Sequence, residues 1–137
     1  MKKLFLSVLF LSSFLIADSI NWVYNYDRAL SVAKTQDKLV FLFVSSKDCF
    51  FSNYMKNTTF AAPSVKKIIS DNFIPVEVER GSRAYPKEKF KTKGTPVIFF
   101  LDKNGERVWY PMAGMTNRKR LVFQINNLLI SKDRSGK

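Results

Sequence analysis

The chain has 137 residues, 46% of them hydrophobic and 25% charged, which suits one folded domain and argues against a disordered protein. Its formal net charge of +12 at pH 7 favours acidic partners or weak association with anionic membrane surfaces, while the absence of a basic and aromatic recognition module argues against nucleic acid. Because there is no histidine and only one cysteine, the chain lacks the ligands of a transition-metal site, and we expect neither a metal nor another cofactor.

Residues 1–19 have the three zones of a secretory signal peptide. Two lysines follow the first methionine, the stretch Leu4–Ile16 carries no charge, and small residues come next. The uncharged stretch is shorter than the roughly 20 residues that a membrane-spanning helix needs, which argues against an uncleaved anchor. We therefore expect export to the periplasm, a mature domain over residues 20–131 and a flexible basic tail over residues 132–137.

Two helices and one strand are predicted in the first half of the mature chain. Apolar residues at spacings of three and four predict an amphipathic helix over Trp22–Gln36. Leu39–Val44 is an unbroken apolar run, rich in β-branched and aromatic residues, and predicts a strand buried on both faces. A second apolar pattern at helical spacing begins directly after Cys49, the only cysteine, and places this thiol at a strand-to-helix junction. There the unpaired N–H groups and the helix dipole favour the thiolate, which is the nucleophilic form.

The second half of the chain predicts a helix, a strand, a short helical turn, two strands joined by a hairpin, and a last helix. Their expected extents are Pro63–Asn72, Phe73–Glu79, Pro86–Lys93, Gly94–Leu101, Glu106–Met112 and Leu121–Leu129. The turn Asp102–Gly105 joins the hairpin strands, and Pro111 marks the return strand as an edge of the sheet. This order of elements indicates one α/β domain.

In this order, the elements and motifs resemble the thioredoxin superfamily along nearly the full mature length. The chain is similar to small bacterial periplasmic thioredoxin-like proteins and to the C-terminal domain of DsbD. Those proteins share a Cys-x-x-Cys-Lys-x-Met segment, a Thr-Phe-x-x-Pro-x-Val segment, a loop with a cis proline and a closing hairpin. The matching residues are Cys49, Ser52, Asn53 and Met55, then Thr59, Phe60, Pro63 and Val65, then Gly94-Thr95-Pro96, and last Phe99–Glu106. The resemblance implies a thioredoxin fold, with a central mixed β-sheet flanked by helices, and a catalytic role for Cys49 and Ser52.

The departures from the family pattern concern the chemistry. Ser52 stands where the family has its second cysteine, so the motif is Cys-x-x-Ser and the thiol that releases a mixed disulfide is absent. The Ser52 hydroxyl can still hydrogen-bond to the sulfur and favour the thiolate. Phe43 replaces the buried acid of classical thioredoxins. Asp48 could cap the helix but opposes a thiolate, whereas Lys47 favours one, and we predict a modest lowering of the thiol pKa from the helix terminus.

Several candidate site residues have a structural as well as a functional interpretation. Cys49 is either a reactive thiol or an inert buried residue, and its place at a helix terminus favours the first. Phe50 and Phe51 could form an apolar lip that binds substrate, although helical spacing favours the burial of one of them in the core. Thr95 and Pro96 fit both a tight turn and a loop that binds an extended peptide as an added strand.

The cationic run Arg118–Arg120 stands just before the last predicted helix. Cations are unfavourable at a helix N-terminus, so these residues either face an acidic partner or are solvated at a small cost. The solvated interpretation is favoured.

Two functions from different classes remain open. In the first, the protein is a monothiol exchange factor: Cys49 attacks a disulfide of a protein or small molecule, an external thiol resolves the mixed species, and isomerisation is possible. In the second, the protein is a non-catalytic thioredoxin-fold module that binds peptides or acts like a chaperone. A Cys49-linked homodimer is compatible with either function, because an odd cysteine in an exported chain is available for intermolecular pairing.

Overall fold

The computed structural model describes residues 19–136, so the expected signal peptide lies, except for Ser19, outside the described residues. The helices are α1 (Tyr26–Gln36), α2 (Phe50–Asn57), α3 (Pro63–Asn72) and α4 (Arg118–Ser135). The strands are β1 (Leu39–Ser45), β2 (Phe73–Glu79), β3 (Val97–Leu101) and β4 (Met112–Ala113). A 3-10 turn, Thr59–Ala61, lies between α2 and α3. None of the helices in this part of the chain has both the length and the apolar character needed to cross a membrane.

The strands form a mixed sheet in the order β2-β1-β3-β4. β1 runs parallel to β2, with Leu39 opposite Phe73, and antiparallel to β3, with Phe41 opposite Phe100. It is therefore paired along both edges, and all its residues are buried, as the unbroken apolar run predicted. Cys49 follows the C-terminal end of this central strand.

The side chains of β1 divide alternately between two apolar layers. Phe41 and Phe43 pack on the face of the sheet covered by α3 and α4, whereas Val40 and Leu42 pack on the face covered by α1. At centroid distances of 6.0, 5.8 and 5.7 Å, the Phe41 ring makes edge-on contacts with Phe60, Phe73 and Phe100. The strand that leads to Cys49 is thus held in a densely packed aromatic core.

The predicted helix over Trp22–Gln36 begins later than expected, at Tyr26. Asn25 caps it, because the Asn25 side-chain oxygen accepts a hydrogen bond of 2.9 Å from an amide of the first turn. The chain before the cap joins the sheet instead, where Val23 forms a parallel bridge with Val76 of β2. The N-terminal part of the helix prediction was therefore wrong.

The predicted return strand over Glu106–Met112 was wrong for most of its length. Arg107 forms an isolated bridge with Leu101, and the ladder resumes only at the short β4. Pro111 lacks the amide hydrogen that a ladder needs, which is a physical reason for the interruption. The preceding turn forms as predicted, with Gly105 at a φ of 83° that favours glycine.

The short helical turn expected over Pro86–Lys93 is present as a single hydrogen-bonded turn, in which the Phe90 amide donates to the Pro86 carbonyl oxygen at 3.3 Å and the Phe90 side chain is fully buried. One further boundary differs from expectation. Asn117 caps α4, and the helix continues to Ser135, past Lys132, where the flexible tail was expected to begin.

Candidate functional site

The loop between β1 and α2 carries Cys49 and is held by its own hydrogen bonds. Cys49 occupies the cap position of α2, so the thiol lies at the strand-to-helix junction that the sequence predicted, and the interpretation of Asp48 as the cap was wrong. The Cys49 N–H donates to the Ser46 carbonyl oxygen at 3.1 Å, and the Asn53 side-chain amide donates to the Lys47 carbonyl oxygen at 2.8 Å. These bonds fix the backbone on which the sulfur is placed.

Two glutamates of β2 hold the same loop from the neighbouring strand. Glu79 accepts hydrogen bonds from the Ser46 hydroxyl at 3.3 Å and from the next backbone amide at 3.2 Å. Glu77 accepts one from the Ser45 hydroxyl at 3.1 Å and forms an ion pair with Lys56 of α2. Neither glutamate was predicted as a site residue from the sequence, although their alternation with valines in β2 placed them on one side of that strand.

The position of Glu77 bears on the missing buried acid. In the sheet register it lies opposite Phe43, the residue that stands where classical thioredoxins have that acid. Phe43 is fully buried in the aromatic layer and carries no proton acceptor. The acidic group nearest in register to that position therefore belongs to β2 rather than to β1.

Cys49 is brought together with Thr95, which is distant in sequence. Its sulfur donates a hydrogen bond of 3.3 Å to the Thr95 carbonyl oxygen, and the Thr95–Pro96 peptide bond is cis. Ser52, in the first turn of α2, is fully buried, and within the described residues its hydroxyl has no hydrogen-bond partner. Cys49 itself is only partly buried, which contradicts the alternative of an inert core cysteine.

Hydrogen bonds lower the pKa of the Cys49 thiol from its ordinary value to about 7. The Ser52 side chain is the leading cause, followed by the Thr95 side chain and by backbone amides of Ser52 and Phe51. The thiol can donate to the Thr95 carbonyl oxygen only while it is protonated. When the proton leaves, the thiolate sulfur becomes an acceptor for the Ser52 hydroxyl, which has no other partner among the described residues. The pKa of the thiol is lowered, as predicted, but hydrogen bonds rather than the helix terminus are the main cause.

Phe50 and Phe51 are both exposed, with 71% and 50% of their surface accessible, so the interpretation of one as a core residue was wrong. Their rings contact each other at a centroid distance of 5.5 Å, and Phe50 stacks on the exposed Tyr54 at 6.0 Å. α2 instead buries Ser52 and Met55, because it is rotated relative to the stripe inferred from its sequence. Phe50, Phe51 and Tyr54 form an aromatic patch beside the thiol.

Two open pockets lie beside this region, and basic residues line both. One, of about 250 Å³, lies between Tyr54 and the start of α4 and includes Arg118. The other, of about 420 Å³, adjoins Thr95 and Pro96, and its cations are Lys91, Lys93 and Arg107. Neither pocket is lined by an acidic side chain.

Within residues 19–136, no group of three or more potential ligands is arranged for a metal ion.

Comparison with known proteins supports the resemblance noted in the sequence. A family model described as thioredoxin-like matches residues 21–103. A segment of 64 residues is 31% identical to part of an uncharacterized protein of Caenorhabditis elegans. The segment is 47% of this chain but 9% of that protein, so the chain spans only a small part of the relative it matches.

Solved structures similar to this one share the fold. A thioredoxin from Thermus thermophilus has a TM-score of 0.74 at 22% identity, over 87% of this chain and 94% of the other. A DsbH oxidoreductase has a TM-score of 0.67 at 21% identity, over 88% of this chain and 92% of the other. The oxidised DsbD C-terminal domain of Neisseria meningitidis has a TM-score of 0.59 at 17% identity, over 77% and 97%. The predicted thioredoxin fold is confirmed.

Proposed function

Because the chain belongs to the thioredoxin-like family, we propose that it is a monothiol exchange factor that acts through mixed disulfides on Cys49. The observation that carries this proposal is the environment of Cys49, a partly buried thiol at the start of α2 whose pKa is lowered to about 7. About half of such a thiol is ionised at neutral pH, and the thiolate is the attacking species.

The exchange proceeds in two steps. The Cys49 thiolate attacks one sulfur of a substrate disulfide, a new S–S bond forms to Cys49, and the other substrate sulfur leaves as a thiolate. Ser52 cannot carry out the second displacement, because a hydroxyl does not form a disulfide. An external thiol, or a second thiol of the same substrate, therefore attacks the mixed disulfide and restores Cys49. When the second thiol belongs to the substrate, the net result is isomerisation.

The surroundings of Cys49 suggest how a substrate is held. Thr95 and Pro96 form the loop beside the sulfur, and backbone groups of such a loop can pair with an extended peptide. Phe50 and Phe51, which directly follow Cys49 in the chain, offer exposed apolar contacts. Protein disulfides and small-molecule thiols are both chemically suitable partners, and a second copy of the chain could be linked through Cys49.

Export to the periplasm belongs to the same proposal. It rests on the signal-peptide pattern of residues 1–19, and a periplasm is a compartment where disulfides form. The excess of lysine and arginine also permits weak association with the anionic surface of a membrane.

A second candidate function is a non-catalytic module that binds peptides or acts like a chaperone. The exposed aromatic patch favours it, since three adjacent aromatic rings on one helix provide an apolar contact surface independent of the thiol. In that case Cys49 is joined to partners only occasionally.

Trapping of mixed disulfides in cells distinguishes the two functions. Cells that express the protein are quenched with acid and alkylated, and the protein is separated without reductant. The exchange factor gives discrete heavier species that disappear on reduction and are absent from a Cys49→Ala variant. If the wild-type protein gives no such species, or if the Cys49→Ala variant recovers the same partners in equal yield, the binding module is the better account.

A further inference from the structure

Thr116, which lines the pocket at the start of α4, has a buried hydroxyl without a hydrogen-bond partner among the described residues. The residue is only 3% exposed. Its backbone carbonyl is held by a bond of 2.7 Å from the Thr59 hydroxyl, so Thr116 has a defined position. A buried polar group usually has a partner, and this one belongs to a residue that lines an open pocket.

Positive charge is concentrated in the helix turn that borders the same pocket. Arg118 lines it, and Lys119 and Arg120 follow in the first turn of α4, a helix of 18 residues whose first turn contains no acidic residue. Among the described residues, none of these three cations forms an ion pair. Three cations at the positive end of a helix dipole are unfavourable unless an anion lies near them.

The aromatic patch links the thiol site to this pocket through Tyr54. The aromatic patch begins at Phe50, directly after Cys49, and ends at Tyr54, which lines the pocket. Tyr54 lies five positions after Cys49, which corresponds to a rise of about 7.5 Å along the helix. An extended peptide covers that distance in about two residues.

From the unpartnered Thr116 hydroxyl, the cations at the start of α4 and the aromatic patch that leads there, we infer that this pocket binds an acidic side chain of the polypeptide substrate, two or three residues from its cysteine. The inference rests on the proposed function and names its substrate class. Arg118 supplies charge, Thr116 donates a hydrogen bond to the carboxylate, and Tyr54 and Met115 line the apolar wall.

Three synthetic peptides of equal length test the inference. Each carries one cysteine as a pyridyl disulfide. The residues two and three positions from that cysteine are aspartate in the first peptide, asparagine in the second and lysine in the third. The Cys49 thiolate attacks the peptide sulfur and releases pyridinethione, which is neutral and is followed by its absorbance in the near ultraviolet. We expect the aspartate peptide to react on the order of tenfold faster than the lysine peptide at low ionic strength, with the difference shrinking as salt is added.

Matched variants locate the preference. Arg118→Gln and Thr116→Val should each reduce the ratio of aspartate to lysine rates at least threefold, whereas Lys132→Gln, which removes a charge from the other end of α4, should leave it unchanged. Equal rates for the three wild-type reactions would overturn the acidic pocket and leave thiol exchange standing. A preference that survives both pocket variants, or that is lost in Lys93→Gln instead, would also overturn it.

A binding measurement separates failure of the pocket from failure of the proposed function. The Cys49→Ala variant is titrated with the aspartate peptide in which serine replaces the cysteine. Binding that Arg118→Gln weakens at least threefold supports the pocket even when no peptide undergoes exchange. No binding, together with equal exchange rates, refutes the pocket alone.

Discussion

The Cys49 sulfur lies 3.3 Å from the carbonyl oxygen of Thr95, a residue 46 positions further along the chain. This contact joins the start of α2 to the loop before β3, and it positions the thiol against backbone groups that a peptide could use. The buried Ser52 hydroxyl has no hydrogen-bond partner among the described residues while the thiol is protonated, and its hydrogen bond to the thiolate is the leading cause of the lowered thiol pKa. The site thus favours formation of a thiolate and lacks a second thiol.

Alkylation of Cys49 should follow the ionisation of its thiol. Because the pKa is lowered to about 7, the rate with iodoacetamide should rise with pH and reach half its maximum near pH 7. Ser52→Ala removes the leading hydrogen bond, so the midpoint should move upward, toward roughly 8.5. Asp48→Asn, which changes a neighbouring charge, should shift the midpoint less, and the opposite order of effects would show that charge outweighs hydrogen bonding.

Restoring the second thiol should restore dithiol chemistry. In Ser52→Cys, a resolving sulfur lies in the first turn of α2, and we expect measurable reduction of insulin in the presence of dithiothreitol, where the wild-type protein gives little above background. The double variant Cys49→Ala, Ser52→Cys is the control and should be inactive. A folded but inactive Ser52→Cys protein would mean that more than the resolving thiol is missing from the site.

The aromatic patch should contribute to substrate binding rather than to stability. Phe51→Ser removes an exposed ring, so the free energy of unfolding should change by no more than about 0.5 kcal/mol. Exchange with a disulfide-bonded polypeptide should slow several-fold, while exchange with a small disulfide should slow much less. Phe123→Ser is the matched control, because it removes an exposed ring from α4 instead of α2. Equal slowing in both variants would count against the patch.

Glu79 should stabilise the loop that carries Cys49. Glu79→Gln weakens its bonds to the Ser46 hydroxyl and the adjacent amide, and we expect a loss of about 1–2 kcal/mol in the free energy of unfolding, measured with urea. The control is Glu88→Gln, which breaks an exposed ion pair with Lys91 and should cost at most about 0.5 kcal/mol. Equal losses in the two variants would mean that the hydrogen bonds of Glu79 stabilise the protein no more than an exposed ion pair does.

The aromatic core around β1 should dominate stability. Phe41 is fully buried and contacts several rings, so Phe41→Leu should lower the free energy of unfolding by about 1–3 kcal/mol. Phe123→Leu, at a position 61% exposed, should change it by at most about 0.5 kcal/mol. Urea denaturation followed by tryptophan fluorescence measures both. A smaller loss at Phe41 than at Phe123 would contradict the central place of Phe41 in the aromatic core.

The sequence by itself determined the features that depend on short stretches of chain. The apolar run of β1 predicted a buried strand, and the pattern after Cys49 predicted a helix that begins there, because apolar periodicity is a local property. The order of helices and strands, together with the Gly-Thr-Pro segment and the Cys-x-x-Ser motif, resembles the thioredoxin superfamily closely enough to predict the fold. Helix and strand ends were less certain, as at Tyr26 and along the interrupted return strand, because caps and sheet pairing decide them.

Only the tertiary structure decided which faces are exposed and which distant groups meet. Phe50 and Phe51 are exposed because the rotation of α2 depends on what packs beneath it, which helical spacing does not specify. Glu79 reaches the Cys49 loop because the register of β2 against β1 brings it there. The pocket at Thr116 exists because α4 starts beside α2. Each is a contact between segments far apart in the chain, and such contacts are set by packing of the whole domain rather than by local pattern.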